Sequence, residues 1–343
     1  MINIENDRLR ERWGADLASS LIKKVLKGCE VMKTVKNFVK VRNTTEHYRQ
    51  SEHYKKGEVV SAYGFLTPAM VLAILFIVLP IILAFTYGFT DYYLLKPNDK
   101  QFIGLENFTR MLSDEVLMKS FMNTIKFVVF VVPLQLSMAL GLALIVNKKI
   151  KGVGFFRTAY FSPAVLSLVV ISILWTVMLN PTSGLINEIL ANIGLPKQPF
   201  LSSADQAMYT IVAISAWSGC GYQMMIFLAG LKNIDNSLYE AADIDGANAF
   251  QKFLFITIPS LKPILMFLVI TTTIQAFKLI VQPMVMTGGG PDYSTMTILQ
   301  YIYEYGFRHR NIGYASAVTL MFTVFLVVVS IVIKKLFREE RAA

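Results

Sequence analysis

Six long runs of apolar residues, separated by polar and charged stretches, set the pattern of this chain. They cover approximately residues 63–87, 121–146, 158–179, 207–231, 263–283 and 314–336. Each is long enough to cross roughly 30 Å of hydrocarbon at about 1.5 Å per residue. None alternates with a period of two, and lipid admits only helices or closed barrels because it satisfies no open backbone. The pattern predicts an all-α integral membrane protein with six transmembrane helices. It divides into a polar tail at 1–60, a membrane domain at 61–337 and a short second tail at 338–343. The first run follows about sixty polar residues, which is not the layout of a cleavable signal peptide.

Composition sharpens this picture. The chain is 54% hydrophobic and only 16% charged, against roughly 25% charged in an ordinary globular domain. Lys and Arg number 24 in the first tail, the 147–157 and 231–262 loops and the C-terminal end from Lys334 onward, against seven in the other loops. Cations collect on the cytoplasmic side, so both termini and the 231–262 loop are expected there, in a multi-pass protein of the cell (plasma or inner) membrane. The net charge of +10 is then a topology signal and not evidence for nucleic acid. Cys29 and Cys220 fall in the tail and within a run, where a disulfide has no role. In the tail, Lys23, Lys24, Lys27, Lys33, Lys36 and Lys40 interleave with apolar residues at helical spacing, predicting a basic amphipathic helix near 15–41. It lies on anionic headgroups of the lipid bilayer, or it packs on the protein body or a partner.

Candidate chemistry is sparse. His47, His53 and His309 sit singly in tail and loop, no His/Cys/Asp/Glu set has metal-ligand spacing, and no nucleophile–base pair stands in or beside the runs. Neither catalysis nor a bound cofactor or metal is expected of this chain. GxxxxGK[ST] is absent, and the outward Thr287-Gly288-Gly289-Gly290-Pro291 reads as a sharp turn, not a phosphate loop. Were transport ATP-driven, the ATPase would be another polypeptide. Within the fifth run Thr271, Gln275, Lys278 and Gln282 recur at i, i+4, i+7 and i+11, one face of a helix. Such a face suits a polyhydroxylated or acidic solute on a transmembrane path, or it packs on other helices while Lys278 snorkels outward. Tyr222, Gln223 and Trp217 in the fourth run, and Gln135 in the second, are further path candidates. Gly219 and Gly221 are read as helix-contact positions.

The 231–262 loop is the least membrane-like segment between the runs. Asn236 or Ser237 can cap a helix, with Glu240 following near its positive end. Ala241, Ala242 and Ala247 keep one surface slim. Gly246 permits a bend, and Phe250, Phe253, Leu254 and Ile258 make an apolar stripe. Pro259 ends the segment and Pro263 helps start the next run. Two short helices at an angle follow, either capping the bundle or meeting a cytoplasmic partner.

Glu240-Ala241-Ala242, three residues, Gly246, nine residues, Ile256, one residue, then Ile258-Pro259 resembles the EAA loop of ABC importer permeases. Ile258 stands where that family's pattern has Leu. The wider Tyr239–Ala247 stretch is similar to the carbohydrate branch, the maltose and glycerol-phosphate permease type. Gly104-Leu105-Glu106-Asn107-Phe108, Thr287-Gly288-Gly289-Gly290-Pro291 and Gly313-Tyr314-Ala315-Ser316-Ala317 add to the likeness, which spans 63–337. The resemblance implies that Glu240, Ala241, Ala242, Asp243, Gly246, Ile256 and Pro259 couple the spans to a cytoplasmic ATPase. Glu240 is the charged contact and Gly246 the hinge. It further implies a second homologous permease, two ATPase subunits that bind Mg-ATP, an external solute-binding protein and a carbohydrate substrate. One rival keeps the fold with a non-sugar solute. Another is an ion-gradient-driven secondary transporter, which would want paired carboxylates within spans, whereas Asp and Glu are absent from all six runs.

Overall fold

The computed structural model describes residues 56–148 and 152–339. The predicted tail helix at 15–41 lies outside the described residues. Two compact units divide at Val78/Leu79, inside the first predicted span. The first holds helix α1, Lys56–Ala73, and a π-turn at Ile74–Val78.

The second unit starts with α2, Leu79–Tyr87, and α3, Glu106–Leu112, a short helix that follows a left-handed turn at Gly104 (φ +61°). Helix α4, Glu115–Asn147, has 33 residues, about 50 Å at 1.5 Å per residue. It is longer than the apolar run because a polar first turn extends it, capped by Asp114, whose carboxylate accepts from the Leu117 N–H at 2.9 Å. The third apolar run is a pair of helices, α5, Val153–Val165, and α6, Leu168–Met178, bent by 99°. Leu166 (ψ 149°) and Ser167 (ψ 131°) are both extended, and two such residues in succession cannot continue a helical ladder. Among the described residues, five helical segments are long and apolar enough to cross a membrane, or six if this bent pair counts as one span. The third predicted span is therefore an elbowed pair of helices.

Next come α7, Leu185–Asn192, and α8, Ala207–Lys232. Helix α8 is buried over most of its surface, through Met208, Ile211, Ile214, Met224, Phe227 and others, and leaves one stripe through Tyr209, Trp217, Tyr222 and Met225 exposed. It packs along α4 and α5. A Cβ at Gly221 would collide with the Tyr160 carbonyl of α5, and one at Gly219 with the Gln135 amide of α4, so both glycines sit where helices approach closely.

Two short helices follow, α9, Asn236–Ile244, and α10, Ala249–Lys252. A π-turn at Phe253–Thr257 leads into α11, Ile258–Phe277. Helix α12, Val281–Met286, comes after a break at residues 278–280. Helix α13, Ile298–Tyr303, a π-turn at Glu304–Arg308 and α14, Ile312–Glu339, complete the described chain. Asp114 ties three of these elements together. Its carboxylate accepts hydrogen bonds from the hydroxyls of Tyr301 on α13 and of Tyr314 on α14, the latter at 2.9 Å. The Arg110 guanidinium lies 4.4 Å from the Tyr314 ring centre.

Candidate functional site

The loop between α8 and α11 holds the two short helices that its sequence predicts. The first helix is capped by Asp235, one residue before the expected Asn236 or Ser237, its carboxylate accepting from the Ser237 N–H at 2.9 Å. Gly246 ends it at φ +74°, a left-handed backbone that glycine adopts without strain. A Cβ there would meet nothing, so backbone conformation and not space selects glycine. Asn248 and Gln251 form a reciprocal capping box at 2.9 and 2.8 Å that starts α10.

Pro259 was expected to end the segment, yet the chain passes from α10 through the π-turn into α11 without leaving helix. The proline is the second residue of α11, directly after the π-turn, where the helical ladder is already irregular. The second short helix is thus the tip of the long one. Glu240, Ala241, Asp243, Gly246 and Pro259 are exposed, while Ala242 and Ile256 are half-buried. Exposed beside them are Ile244 (88%), Phe250 (69%) and Phe255 (72%). Asp243 pairs with the Lys252 ammonium, and the Tyr239 hydroxyl meets the buried Thr257 Oγ1 at 2.9 Å.

The second candidate region is a cavity of about 190 Å³ among α4, α6, α8, α11 and α12. Gln275, Lys278 and Gln282 line it, joined by Gln135, Ser215, Ser218 and Thr272. The expected stripe on one continuous helix face is corrected here, because α11 ends at Phe277 and Lys278 is its C-cap. The break at 278–280 (φ −142° at Ile280) still delivers Gln275, Lys278 and Gln282 to one hollow. Thr271 is not part of it, since its hydroxyl donates to its own helix at Phe267 O, 2.9 Å. Its neighbour Thr272 lines the cavity instead and accepts from Gln223 Nε2 at 2.7 Å. Gln282 is buried and donates from Nε2 to Ser215 Oγ at 3.1 Å. Tyr222 is 55% exposed on the flank of α8 and stays outside the cavity. Trp217 packs edge-on against Trp175 at 5.6 Å, also away from it.

Sequence reasoning missed Ser215, Ser218 and Thr272. Ser and Thr hydroxyls in apolar helices commonly bond back to their own backbone, so nothing in the sequence separates them from silent neighbours. Chemically the cavity offers amides, hydroxyls and one ammonium inside an otherwise apolar bundle. Such a lining offers hydrogen-bond partners to a polar solute beside the apolar walls of Phe127, Val131, Leu168 and Leu279.

Residues 135–341 match the family of binding-protein-dependent transport system inner membrane components. The chain is 36% identical to the lactose transport system permease protein LacF of Rhizobium radiobacter over 277 residues, 79% of this chain and 92% of that one. It is 32% identical to the trehalose/maltose transport system permease protein MalF of Thermococcus litoralis over 287 residues, 84% and 97% of the two chains. In fold it is similar to a chain from a bacterial alginate ABC transporter in complex with a periplasmic protein bound to an alginate pentasaccharide. The TM-score is 0.73 at 22% identity, with 84% of this chain and 98% of that one covered. The elbowed bundle, the exposed helical loop and the polar cavity are therefore those of a chain that belongs to the binding-protein-dependent transport system inner membrane component family.

Proposed function

We propose that this chain is a transmembrane subunit of an ATP-driven importer and forms half of the path for a sugar or oligosaccharide. The observation that carries the reading is its likeness, over nearly their whole lengths, to permeases named for lactose and for trehalose/maltose. The cavity supports it, since amide and hydroxyl groups around Gln275 and Gln282 complement a polyhydroxylated ligand. The α9–α10 loop is the surface that meets a cytoplasmic ATPase carried on a separate chain, which binds and hydrolyses Mg-ATP. Glu240, Ala241, Ala242, Asp243, Gly246, Ile256 and Pro259 belong to that surface, and the exposed Ile244, Phe250 and Phe255 give it an apolar character fit for burial. The working assembly has a second homologous permease, two ATPase subunits and an external solute-binding protein, with both termini of this chain on the ATPase side. Closure of the ATPase pair moves the loop and biases the spans between two arrangements.

Lys278 on the cavity wall supports a second reading, in which the solute carries an acid group such as a uronate or a phosphate ester. Affinity capture of this chain from membranes, followed by uptake assays with neutral and acidic saccharides, tests both. The expected result is a co-purifying ATPase and uptake that Glu240→Lys abolishes while the complex still inserts into the membrane. Absence of any ATPase overturns the importer reading. Uptake confined to acidic cargo and lost in Lys278→Met selects the second reading over the first.

A further inference from the structure

The two short helices of the loop are held by a pair of cross-links placed one turn apart. Tyr239 and Asp243 are four residues apart on α9, hence on one face. Their partners, Thr257 and Lys252, are five residues apart. In an α-helix positions i and i+5 diverge, but between Lys252 and Thr257 the backbone is a π-turn, whose i→i+5 closure brings them to one side. The Thr257 hydroxyl donates to the Lys252 carbonyl at 3.3 Å, which uses its single proton. The Tyr239 hydroxyl is then the donor across to Thr257 Oγ1. Thr257 is 5% exposed and lies at the foot of α11, so this rung sits in the packed body and the Asp243–Lys252 rung on the surface.

We infer that Tyr239 and Thr257 are positioning residues that fuse α9 to the base of α11, so that the loop turns with its span as one lever. The π-turn exists to set the two rungs in register. Gly246 is a fixed left-handed corner in this lever and not the moving hinge. Relative motion within the loop would break both rungs, whereas motion of the whole α9–α11 unit breaks neither. The inference rests on the proposed docking of this loop to an ATPase, and it adds how displacement reaches the membrane.

The test uses the intact importer with its binding protein in proteoliposomes, reading solute moved per ATP hydrolysed alongside the ATPase retained on the complex. Tyr239→Phe and Thr257→Val each delete the buried rung without adding bulk. Each is expected to retain the ATPase while lowering solute moved per ATP roughly three- to tenfold, the factor one buried hydrogen bond carries. Thr257→Ser keeps the hydroxyl and is expected to restore it, and the double variant should be no worse than either single one. Unchanged solute per ATP in both single variants overturns the lever, as does equal loss in Thr257→Ser and Thr257→Val. Loss of ATPase from the variants alone also overturns it, by making the rung a docking requirement. Failure of the unaltered complex to hold any ATPase would instead remove the docking reading beneath it.

Discussion

Asp114 shows how one side chain can knit an all-helical bundle. It caps α4 and gathers the hydroxyls of Tyr301 and Tyr314. Burial pushes its carboxyl pKa up, but hydrogen bonds from Tyr301, the Leu117 amide and Tyr314, with the nearby Arg110 charge, outweigh burial and hold it below the ordinary value. A carboxyl depressed on folding stabilises fully above its unfolded pKa of about 3.9 and loses that contribution as pH falls through the lower folded value. The clamp is thus complete at neutral and mildly acidic pH and weakens only on stronger acidification. Asp114→Asn, which has one acceptor oxygen to serve either the Leu117 amide or the Tyr301 and Tyr314 hydroxyls, is expected to lower the thermal midpoint of the purified protein, at about 1–3 kcal/mol for each buried group left unsatisfied. It should also flatten the stability profile below pH 4, and thermal unfolding across pH checks both. At this scale the sequence was uneven. Glu240 and Gly246 stand in a recognisable spacing, whereas the Tyr239–Thr257 and Asp114–Tyr301 pairs join residues 18 and 187 apart, and no local pattern announces them.

At the scale of elements, the apolar runs mark where helices lie but not where they bend. Four of the predicted runs coincide with a helix or a helix–π-turn–helix segment. The third became the 99° elbow because a run of apolar side chains looks the same whether or not two of its residues turn extended. The fifth misled at both ends, since it continues downward through the loop as far as Ala249 and is interrupted at 278–280 before reaching Met286. Proline was over-read as a terminator at Pro259, a position inside the first turn of α11. Close packing was legible in part, because small residues on a buried helix signal approach. Gly221→Ala would drive a methyl into the Tyr160 carbonyl, an overpacking expected to cost about 1–3 kcal/mol. Gly141→Ala, on α4 where a Cβ meets nothing, is expected to be neutral or to stabilise by about 0.5–1 kcal/mol. Parallel thermal unfolding of the two variants checks the contrast.

For the molecule as a whole, family and fold class were readable from hydropathy and one loop, while the lining of the cavity was not. A cavity is made by side chains from five helices, and only those that happened to share a stripe on α11 and α12 could be picked out in advance. The elbow between α5 and α6 has a consequence for hydration. Any α-helix begins with N–H groups that its own ladder cannot use, and hydrocarbon supplies no acceptor for them. Leu168, the first residue of α6, borders the cavity, so water that enters the cavity is expected to reach these amides as well. In hydrogen–deuterium exchange, the amides of residues 168–170 should exchange well ahead of those in the middle of α4 or α8. Slow exchange at the elbow would mean that the bundle is dry there. Fast exchange there would mark the elbow as a hydrated step in an otherwise apolar bundle, where solvation, and not only shape, bears on what the cavity can hold.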